Sequence, residues 1–174
     1  IGEVSFIENN LKKLKQYGVD EVVVNLYHLG EKIIDAIGDG SDLGLKISYS
    51  IETELLGTGG GIAKAIHLFT EPFVVLSADV WTDFNFSKLK LDENKLAHMV
   101  LIKNPISNKD GDVSIEDNMV IPKEEGPSFT YSGISVLSPE LFHTKNGKKF
   151  LENFVNVAKI KRNWTPDKIT DDLV

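Results

Sequence analysis

The feature that most limits the fold of this chain is the regular alternation of strand signals with helix signals. Short β-branched and apolar runs predict strands near residues 21–25, 46–50, 73–78, 97–103 and 129–137. Helical spacing predicts helices near residues 6–17, 31–37, 62–68, 139–142 and 150–160. Alternation over 112–121 adds a hairpin that turns at Asp117-Asn118. Together these signals predict an α/β fold with a mostly parallel, Rossmann-like sheet and helices on both faces.

Local signals also mark the ends of the first elements. Ser5 followed by Glu8 has the spacing of a capping box. Gly18 is placed to end the same helix in a left-handed conformation. The run that follows, Glu21–Asn25, is short and β-branched, which predicts a strand buried on both faces.

The composition narrows the classes of function. With 174 residues and no repeat or long linker, the chain predicts one domain over 1–174. The absence of cysteine excludes disulfides, thiolate nucleophiles and zinc–thiolate sites. No apolar run approaches the roughly 20 residues of a membrane span, and no signal peptide is visible. We therefore expect a cytoplasmic protein without a membrane partner.

The net charge of the chain disfavours a nucleic acid as a ligand but not a small phosphorylated molecule. A formal net charge of -7 predicts no nucleic-acid partner, because an acidic surface repels the phosphate backbone. A small phosphorylated ligand needs only local donors, often with a metal ion, and is compatible with this charge. One sequence does not fix the oligomeric state. The histidines lack metal-ligand spacing and are expected to be surface or packing residues: His28, His67, His98 and His143.

The glycine-rich segment Gly57–Gly61 is the first candidate site. Four glycines let a backbone approach a ligand closely and expose its N–H groups, and the helix predicted from Ile62 adds a positive N-terminal end. A tight turn that only joins a strand to a helix is the alternative. The segment is not a P-loop, because no Lys-Ser or Lys-Thr pair follows the last glycine.

Asp79 is the second candidate, because it ends the strand predicted over 73–78. Open α/β sheets bind ligands at the carboxyl ends of their strands. Magnesium takes hard oxygen ligands, usually one or two carboxylates with phosphate oxygens, and Asp79 suits that role. A carboxylate that only caps a turn is the alternative.

The third candidate is the segment 129–134, with the sequence Phe-Thr-Tyr-Ser-Gly-Ile. Its small residues Ser132 and Gly133 interrupt an aromatic and β-branched run. That interruption indicates either a close ligand or a β-bulge without a ligand.

Taken in order, the segments resemble the sugar-nucleotide pyrophosphorylase family. The resemblance rests on LGTGGGI at 56–62, FVVLSADVWTDF at 73–84, LIKNP at 101–105 and FTYSGISVL at 129–137. YGVDEVVVNLYHLGEKI at 17–33 is similar to the family's second strand and helix. The chain is most similar to N-acetylmuramate-1-phosphate uridylyltransferases, and next to mannose-1-phosphate guanylyltransferases; DVWTD and the NP followed by Gly111-Asp112 favour the former.

The resemblance implies a glycosyltransferase-A-like nucleotidyltransferase fold and a reaction. A sugar 1-phosphate oxygen attacks the α-phosphate of a nucleoside triphosphate, with UTP favoured, and pyrophosphate leaves. The products are a nucleotide sugar, here one for the cell wall, and pyrophosphate. The implied cofactor is Mg²⁺, and the implied partners are the two substrates.

The resemblance also implies roles for individual residues. Asp79 would be the catalytic residue that holds Mg²⁺, and Asp167, in a rough match to the family's second aspartate motif, would be its second ligand. The implied nucleotide-binding residues are Gly57, Thr58, Gly59 and Gly60. The implied sugar-binding residues are Asn104, Thr130, Ser132 and Gly133.

The beginning of the sequence departs from the family pattern. Family members begin with a GxGTRLxP loop and a Lys-Pro pair that grip the triphosphate, whereas this sequence starts at Ile1-Gly2-Glu3. We therefore expect the domain over 1–174 to lack this signature loop and to be inactive on its own.

Two alternatives belong to other classes. A dinucleotide-binding oxidoreductase half would use Gly57 and Gly59, with Asp79 about 20 residues later. Against it, residues 51–56 separate the glycines from their strand, and Ile62 occupies the third glycine position. A non-catalytic regulatory relative that binds a nucleotide sugar has less need of a metal carboxylate such as Asp79.

Overall fold

The computed structural model describes residues 5–123 and 125–144. Its α-helices are α1 (Phe6–Gln16), α2 (Gly30–Ile37) and α3 (Gly57–Ala65). Its strands are β1 (Glu21–Leu26), β2 (Lys46–Ile51), β3 (Phe73–Leu76), β4 (Ala97–Ile102), β5 (Val113–Glu116), β6 (Met119–Pro122) and β7 (Thr130–Leu137). Short 3-10 helices cover Ser41–Leu43, Ile66–Leu68, Phe86–Lys88, Ile106–Asn108 and Pro139–Phe142. The helix predicted over 150–160 lies outside the described residues.

Helix α1 begins and ends as its sequence predicts. The Glu8 N–H donates to Ser5 Oγ at 3.3 Å, and the Ser5 N–H donates to Glu8 Oε2 at 3.1 Å, which completes the capping box. Gly18 follows the helix with a φ of +85°. At 11 residues α1 is the longest helix described, and no helix in this part of the chain has the length and apolar character to cross a membrane.

The strands form one parallel pair and two antiparallel groups. β1 pairs with β2 in parallel, whereas β7 lies between β3 and β4 and runs antiparallel to both. β5 and β6 form the predicted hairpin, in which Asp117 and Asn118 have φ values of +46° and +61°. The α/β class is observed, but a mostly parallel sheet is not shown. The reason is that the chain returns from the hairpin and inserts β7 between two strands of like direction.

A groove of about 890 Å³ separates β1 from β3. Its walls include Val22–Asn25 of β1 and Val74–Leu76 of β3, and residues of α1 and α3 complete it. No hydrogen-bonded ladder joins β1 to β3 among the described strands. The prediction that Glu21–Asn25 is buried on both faces is therefore wrong: Val22–Val24 are only half-buried because one edge of β1 faces this groove.

Helix α1 packs against both the β1–β2 sheet and the β3–β7–β4 sheet. Leu11 packs in a cluster with Ile37 and Ile47, beside the parallel pair. Leu14, one turn later, packs with Phe86 and with Ile134 of β7. One amphipathic face of α1 is therefore buried against both sheets, as its apolar spacing requires.

Tyr131 in β7 gives a pH-dependent prediction. Burial raises the pKa of Tyr131 to about 12, and a hydrogen bond of 2.9 Å to Ser135 Oγ opposes that effect. The unfolded chain loses the same proton near pH 10, so the free energy of unfolding should fall as the pH rises from about 10 to 12. Urea unfolding between pH 9 and 11.5 measures the slope, which should be shallower in Tyr131→Phe. Equal slopes in the two proteins would contradict this assignment.

Candidate active site

Asp79 lies in a tight turn beyond the end of β3. The strand ends at Leu76 instead of continuing to residue 78 as predicted, because Ser77 and Val80 close a turn through a Val80 N–H to Ser77 O bond of 3.2 Å. The Ser77 N–H donates to Gly133 O at 2.9 Å, which attaches this turn to β7. The Asp79 side chain is exposed and makes no hydrogen bond or ion pair within residues 5–123 and 125–144.

Gly133 packs directly against the Asp79 turn. It has a φ of +84°, and a Cβ added there would lie 2.7 Å from Ser77 Oγ and 3.0 Å from Val80 Cγ2. Only glycine combines this backbone conformation with so close an approach. The structure thus packs the turn that carries the predicted metal residue Asp79 against the predicted sugar residue Gly133, which follows Ser132.

The segment around Ser132 and Gly133 is also a β-bulge. Met99 of β4 pairs with Ser135 of β7, and the next pair is Leu101 with Tyr131. Between these two pairs β7 therefore contains more residues than β4, and the extra residues form the bulge. The bulge that the small residues indicated is therefore present. A ligand role for these residues stays a prediction.

Asn104 and Thr130 already have partners within the protein. Thr130 Oγ1 donates to Asn104 Oδ1 at 3.0 Å and accepts from Asn108 Nδ2 at 2.9 Å. Asn104 Nδ2 donates to Ser128 Oγ at 3.0 Å. These bonds hold the loop after β4 against the start of β7, so the structure gives both residues a supporting role. Their predicted contact with the sugar stays a prediction.

Asp112 belongs to the same network and was missed as a site residue. It is buried, it accepts from Asn108 Nδ2 at 3.1 Å, and it accepts from the Tyr131 N–H at 2.9 Å. It therefore fixes the backbone immediately before Ser132. A carboxylate at the first residue of a predicted hairpin was the available signal.

The glycine-rich segment forms the first turn of α3 and does not precede the helix as predicted. Gly57 has a φ of +74°, and helix geometry leaves the N–H groups of Gly57, Thr58 and Gly59 without intrahelical acceptors. The Gly60 N–H is the first that can reach a carbonyl four residues back. Three N–H groups with the helix dipole behind them can receive an anion or a polar base edge.

Two polar residues missed by the sequence analysis support this helix start. A Cβ added at Gly61 would lie 2.5 Å from Glu52 Oε1 and 2.7 Å from Asn25 Nδ2. Glu52 also accepts from the Leu56 N–H at 3.1 Å. Both side chains follow or end predicted strands, which is the same signal that singled out Asp79.

One residue from the glycine turn and one from the Asp79 turn line the same groove. Thr58, between two of the predicted nucleotide-binding glycines, lines the groove between β1 and β3, and so does Ala78, which precedes Asp79. Asn25 and Asn10 also line it. The glycine turn and the Asp79 turn are thus neighbours of the same cavity, although no described contact joins them.

Asn10 of α1 connects that helix to the Asp79 turn. Its Nδ2 lies 3.0 Å from Val80 O, 3.3 Å from Ala78 O and 3.5 Å from Ser77 O. Asn10 was not predicted as a site residue, although a polar residue among the apolar positions of α1 is a visible signal in the sequence.

The magnesium hypothesis depends on the chemistry of Asp79 and of the acidic residues around it. Asp79 is an exposed carboxylate with no protein partner among the described residues, which is the type of ligand that Mg²⁺ prefers. No group of three or more His, Asp or Glu residues lies close enough to hold a metal within the part of the chain that the structure describes. Asp167 lies outside that part. Asp79 therefore fits a site that substrate oxygens complete.

Comparison with known proteins supports the resemblance. Residues 1–110 match the family model described as nucleotidyl transferase. The chain is 42% identical over 142 residues to N-acetylmuramate alpha-1-phosphate uridylyltransferase of Neisseria meningitidis serogroup B, covering 76% of this chain and 62% of that protein. It is 33% identical over 148 residues to D-glycero-alpha-D-manno-heptose 1-phosphate guanylyltransferase of Campylobacter jejuni, covering 82% and 66%. The chain thus spans about two-thirds or less of these relatives' length.

A solved structure supports the fold. The chain superposes on a putative glucose-1-phosphate thymidylyltransferase from Bacillus anthracis with a TM-score of 0.68 and 16% sequence identity, covering 93% of this chain and 72% of that one. The nucleotidyltransferase fold expected from the sequence is confirmed by this likeness.

The separation between β2 and α3 argues against the dinucleotide-binding alternative. That fingerprint needs its glycines directly after a strand. Here β2 ends at Ile51 and α3 begins at Gly57.

Proposed function

This chain belongs to the nucleotidyl transferase family, and we propose on that premise that it joins a nucleoside triphosphate to a sugar 1-phosphate. The proposed donor is UTP and the proposed acceptor is N-acetylmuramate α-1-phosphate, because a relative at 42% identity carries that name. The proposed setting is the cytoplasm, in the supply of nucleotide sugars to the cell wall. The observation that carries the proposal is the exposed Asp79, in a turn whose Ser77 and Val80 pack against Gly133 and whose Ala78 lines the same groove as Thr58.

The chemistry is a displacement at phosphorus. An oxygen of the sugar phosphate forms a bond to the α-phosphorus, the bond from that phosphorus to the bridging oxygen breaks, and pyrophosphate leaves with the electron pair. A protein accelerates such a step mainly by positioning two anions and by neutralising their charge. A chain with a net charge of -7 must supply that neutralisation locally.

We assign the nucleotide to the first turn of α3. The N–H groups of Gly57, Thr58 and Gly59 have no acceptor within the helix; Gly57 and Thr58 are half-buried and Gly59 is buried, so the proposed contact is made chiefly through the first two. Gly60 adds backbone at the same turn, and the absence of its side chain also leaves room for Leu56. Glu52 and Asn25 hold this turn in place through their contacts at Gly61 and Leu56.

We assign the metal and the sugar to the Asp79 side of the groove. Asp79 would hold Mg²⁺, with Asp167 as the proposed second ligand, and the bound ion would neutralise charge on the phosphates. Ser132 Oγ accepts from the Ile134 N–H at 3.3 Å, so its hydroxyl proton can be donated to a sugar oxygen. Asn104 and Thr130 would shape the sugar pocket through the network that they form.

The test is a matrix of substrates. The full natural polypeptide is incubated with Mg²⁺, each of UTP, GTP, CTP, ATP and dTTP, and a panel of sugar 1-phosphates, and pyrophosphate release is measured. We expect the highest rate with UTP and N-acetylmuramate α-1-phosphate. Release with another pair would replace the proposed substrates. Binding of a nucleotide sugar without release from any pair would favour the regulatory alternative and overturn the proposed reaction.

A further inference from the structure

We propose that Asn10 is a positioning residue that fixes the turn Ser77–Val80 and, through it, the direction of the Asp79 carboxylate. Asn10 is only 3% exposed, and its amide nitrogen bonds the carbonyls of the three residues that flank Asp79: Ser77, Ala78 and Val80. The kinetic part of this inference rests on the proposed function. Its structural part does not.

The electrostatics of the turn require a donor at this place. Three carbonyl oxygens point toward one position, and their partial negative charges repel one another. The only other described donor to them is the Val80 N–H, which bonds Ser77 O. One amide nitrogen carries two protons and partial positive charge, so Asn10 holds the three carbonyls together. Without it, the Ala78 and Val80 carbonyls would both lose their described donor, and the turn would relax.

The anchoring of α1 makes Asn10 a rigid support. Its neighbour Leu11 is buried in the cluster beside β1 and β2, and Leu14 is buried in the cluster that includes Ile134 of β7. The helix therefore cannot shift without disturbing both clusters. Because Asn10 is held by this helix, its hydrogen bonds restrain the turn that carries Asp79.

A purely packing role would not require an asparagine here. The position belongs to the apolar face of α1, where a leucine, which has the same branched arrangement of side-chain heavy atoms, would be the ordinary residue. Asn10 Oδ1 is buried and has no hydrogen-bond partner among the described atoms. A buried oxygen without a hydrogen bond lowers the stability of the fold. The hydrogen bonds that Nδ2 makes to the turn must therefore account for the presence of an asparagine at this position.

The structural test measures amide hydrogen exchange in the turn. We expect Asn10→Leu to raise exchange of the Val80 N–H, followed on a peptide spanning 77–81, on the order of tenfold, while exchange in β1 and β2 changes far less. Asn10→Ala serves as a second variant in case leucine does not fit. Asn9→Ala is the matched control, since Asn9 is the adjacent asparagine of α1 and its Nδ2 has no described partner. Unchanged exchange in a folded Asn10→Leu would overturn the proposal.

The kinetic test measures activation by magnesium. In the full natural polypeptide, Asn10→Leu should raise the Mg²⁺ concentration that gives half-maximal rate by roughly 10-fold or more, because residues that orient a metal ligand affect metal affinity to that extent. The KM for the nucleoside triphosphate at saturating Mg²⁺ should change far less, and Asn9→Ala should change neither. An unchanged Mg²⁺ requirement in Asn10→Leu would overturn the link to Asp79. If no substrate pair releases pyrophosphate from the natural protein, the proposed function fails, and the exchange result still decides whether Asn10 fixes the turn.

Discussion

Asp79→Asn should lower kcat/KM for pyrophosphate release by roughly 10²–10³-fold, because a metal that neutralises transition-state charge contributes several kcal/mol and each ~1.4 kcal/mol is tenfold in rate. The substitution keeps the shape of the side chain and removes the charge that would hold Mg²⁺. The side chain is exposed and has no described partner, so the free energy of unfolding should not change. Initial rates at saturating Mg²⁺ and urea unfolding measure the two effects.

Asp83 provides a matched control for Asp79. It is an exposed aspartate four positions later in the same loop, and it has no hydrogen bond among the described residues. Asp83→Asn should retain nearly the full rate. A comparable loss in both variants would point to the overall charge of the loop, and a rate near normal in Asp79→Asn would remove Asp79 from the chemistry.

Gly133→Ala should destabilise the fold by roughly 2–5 kcal/mol, because a left-handed φ costs a non-glycine residue about 1–2 kcal/mol and overpacking adds about 1–3 kcal/mol. The added methyl would lie 2.7 Å from Ser77 Oγ and 2.9 Å from Ser77 Cβ. The collision falls on the Asp79 turn, so transfer activity should be lost along with stability. Urea unfolding gives the stability change.

Gly18 is a control that distinguishes the cost of a positive φ from the cost of a steric clash with Ser77. It has a φ of +85°, close to the +84° of Gly133, but a Cβ added at Gly18 meets nothing within 4 Å. Gly18→Ala should therefore cost only the strain, about 1–2 kcal/mol. Adding Ser77→Gly to Gly133→Ala should recover part of the excess, which a double-mutant cycle measures. Equal losses at Gly18 and Gly133 would show that the contact with Ser77 is not tight.

Features fixed by neighbours in sequence could be predicted well. The capping box of Ser5 and Glu8 depends on residues three apart, and the turn at Asp117 and Asn118 depends on two residues that tolerate positive φ. No local signal indicated that Gly133 packs against the Asp79 turn; the resemblance only assigned Asp79 to the metal and Gly133 to the sugar.

Features fixed by distant contacts could not be predicted. β3 ends at Leu76 because the turn after it is held by Gly133, far along the chain. The low helix propensity of glycine indicated a loop at Gly57–Gly61, yet Glu52 supports a helix start there. The role of Asn10 depends on three carbonyls about 70 residues away.

The unpaired edges of β1 and β3 beside the groove affect how this polypeptide behaves at high concentration. Each of these strands presents one row of backbone N–H and C=O groups that no other described strand pairs with, beside valines that are only partly covered. Such edges accept strands from neighbouring molecules. Concentrated samples of residues 1–174 should therefore tend to self-associate through backbone pairing, which added salt would screen little and dilution would reverse while the associated species remain small.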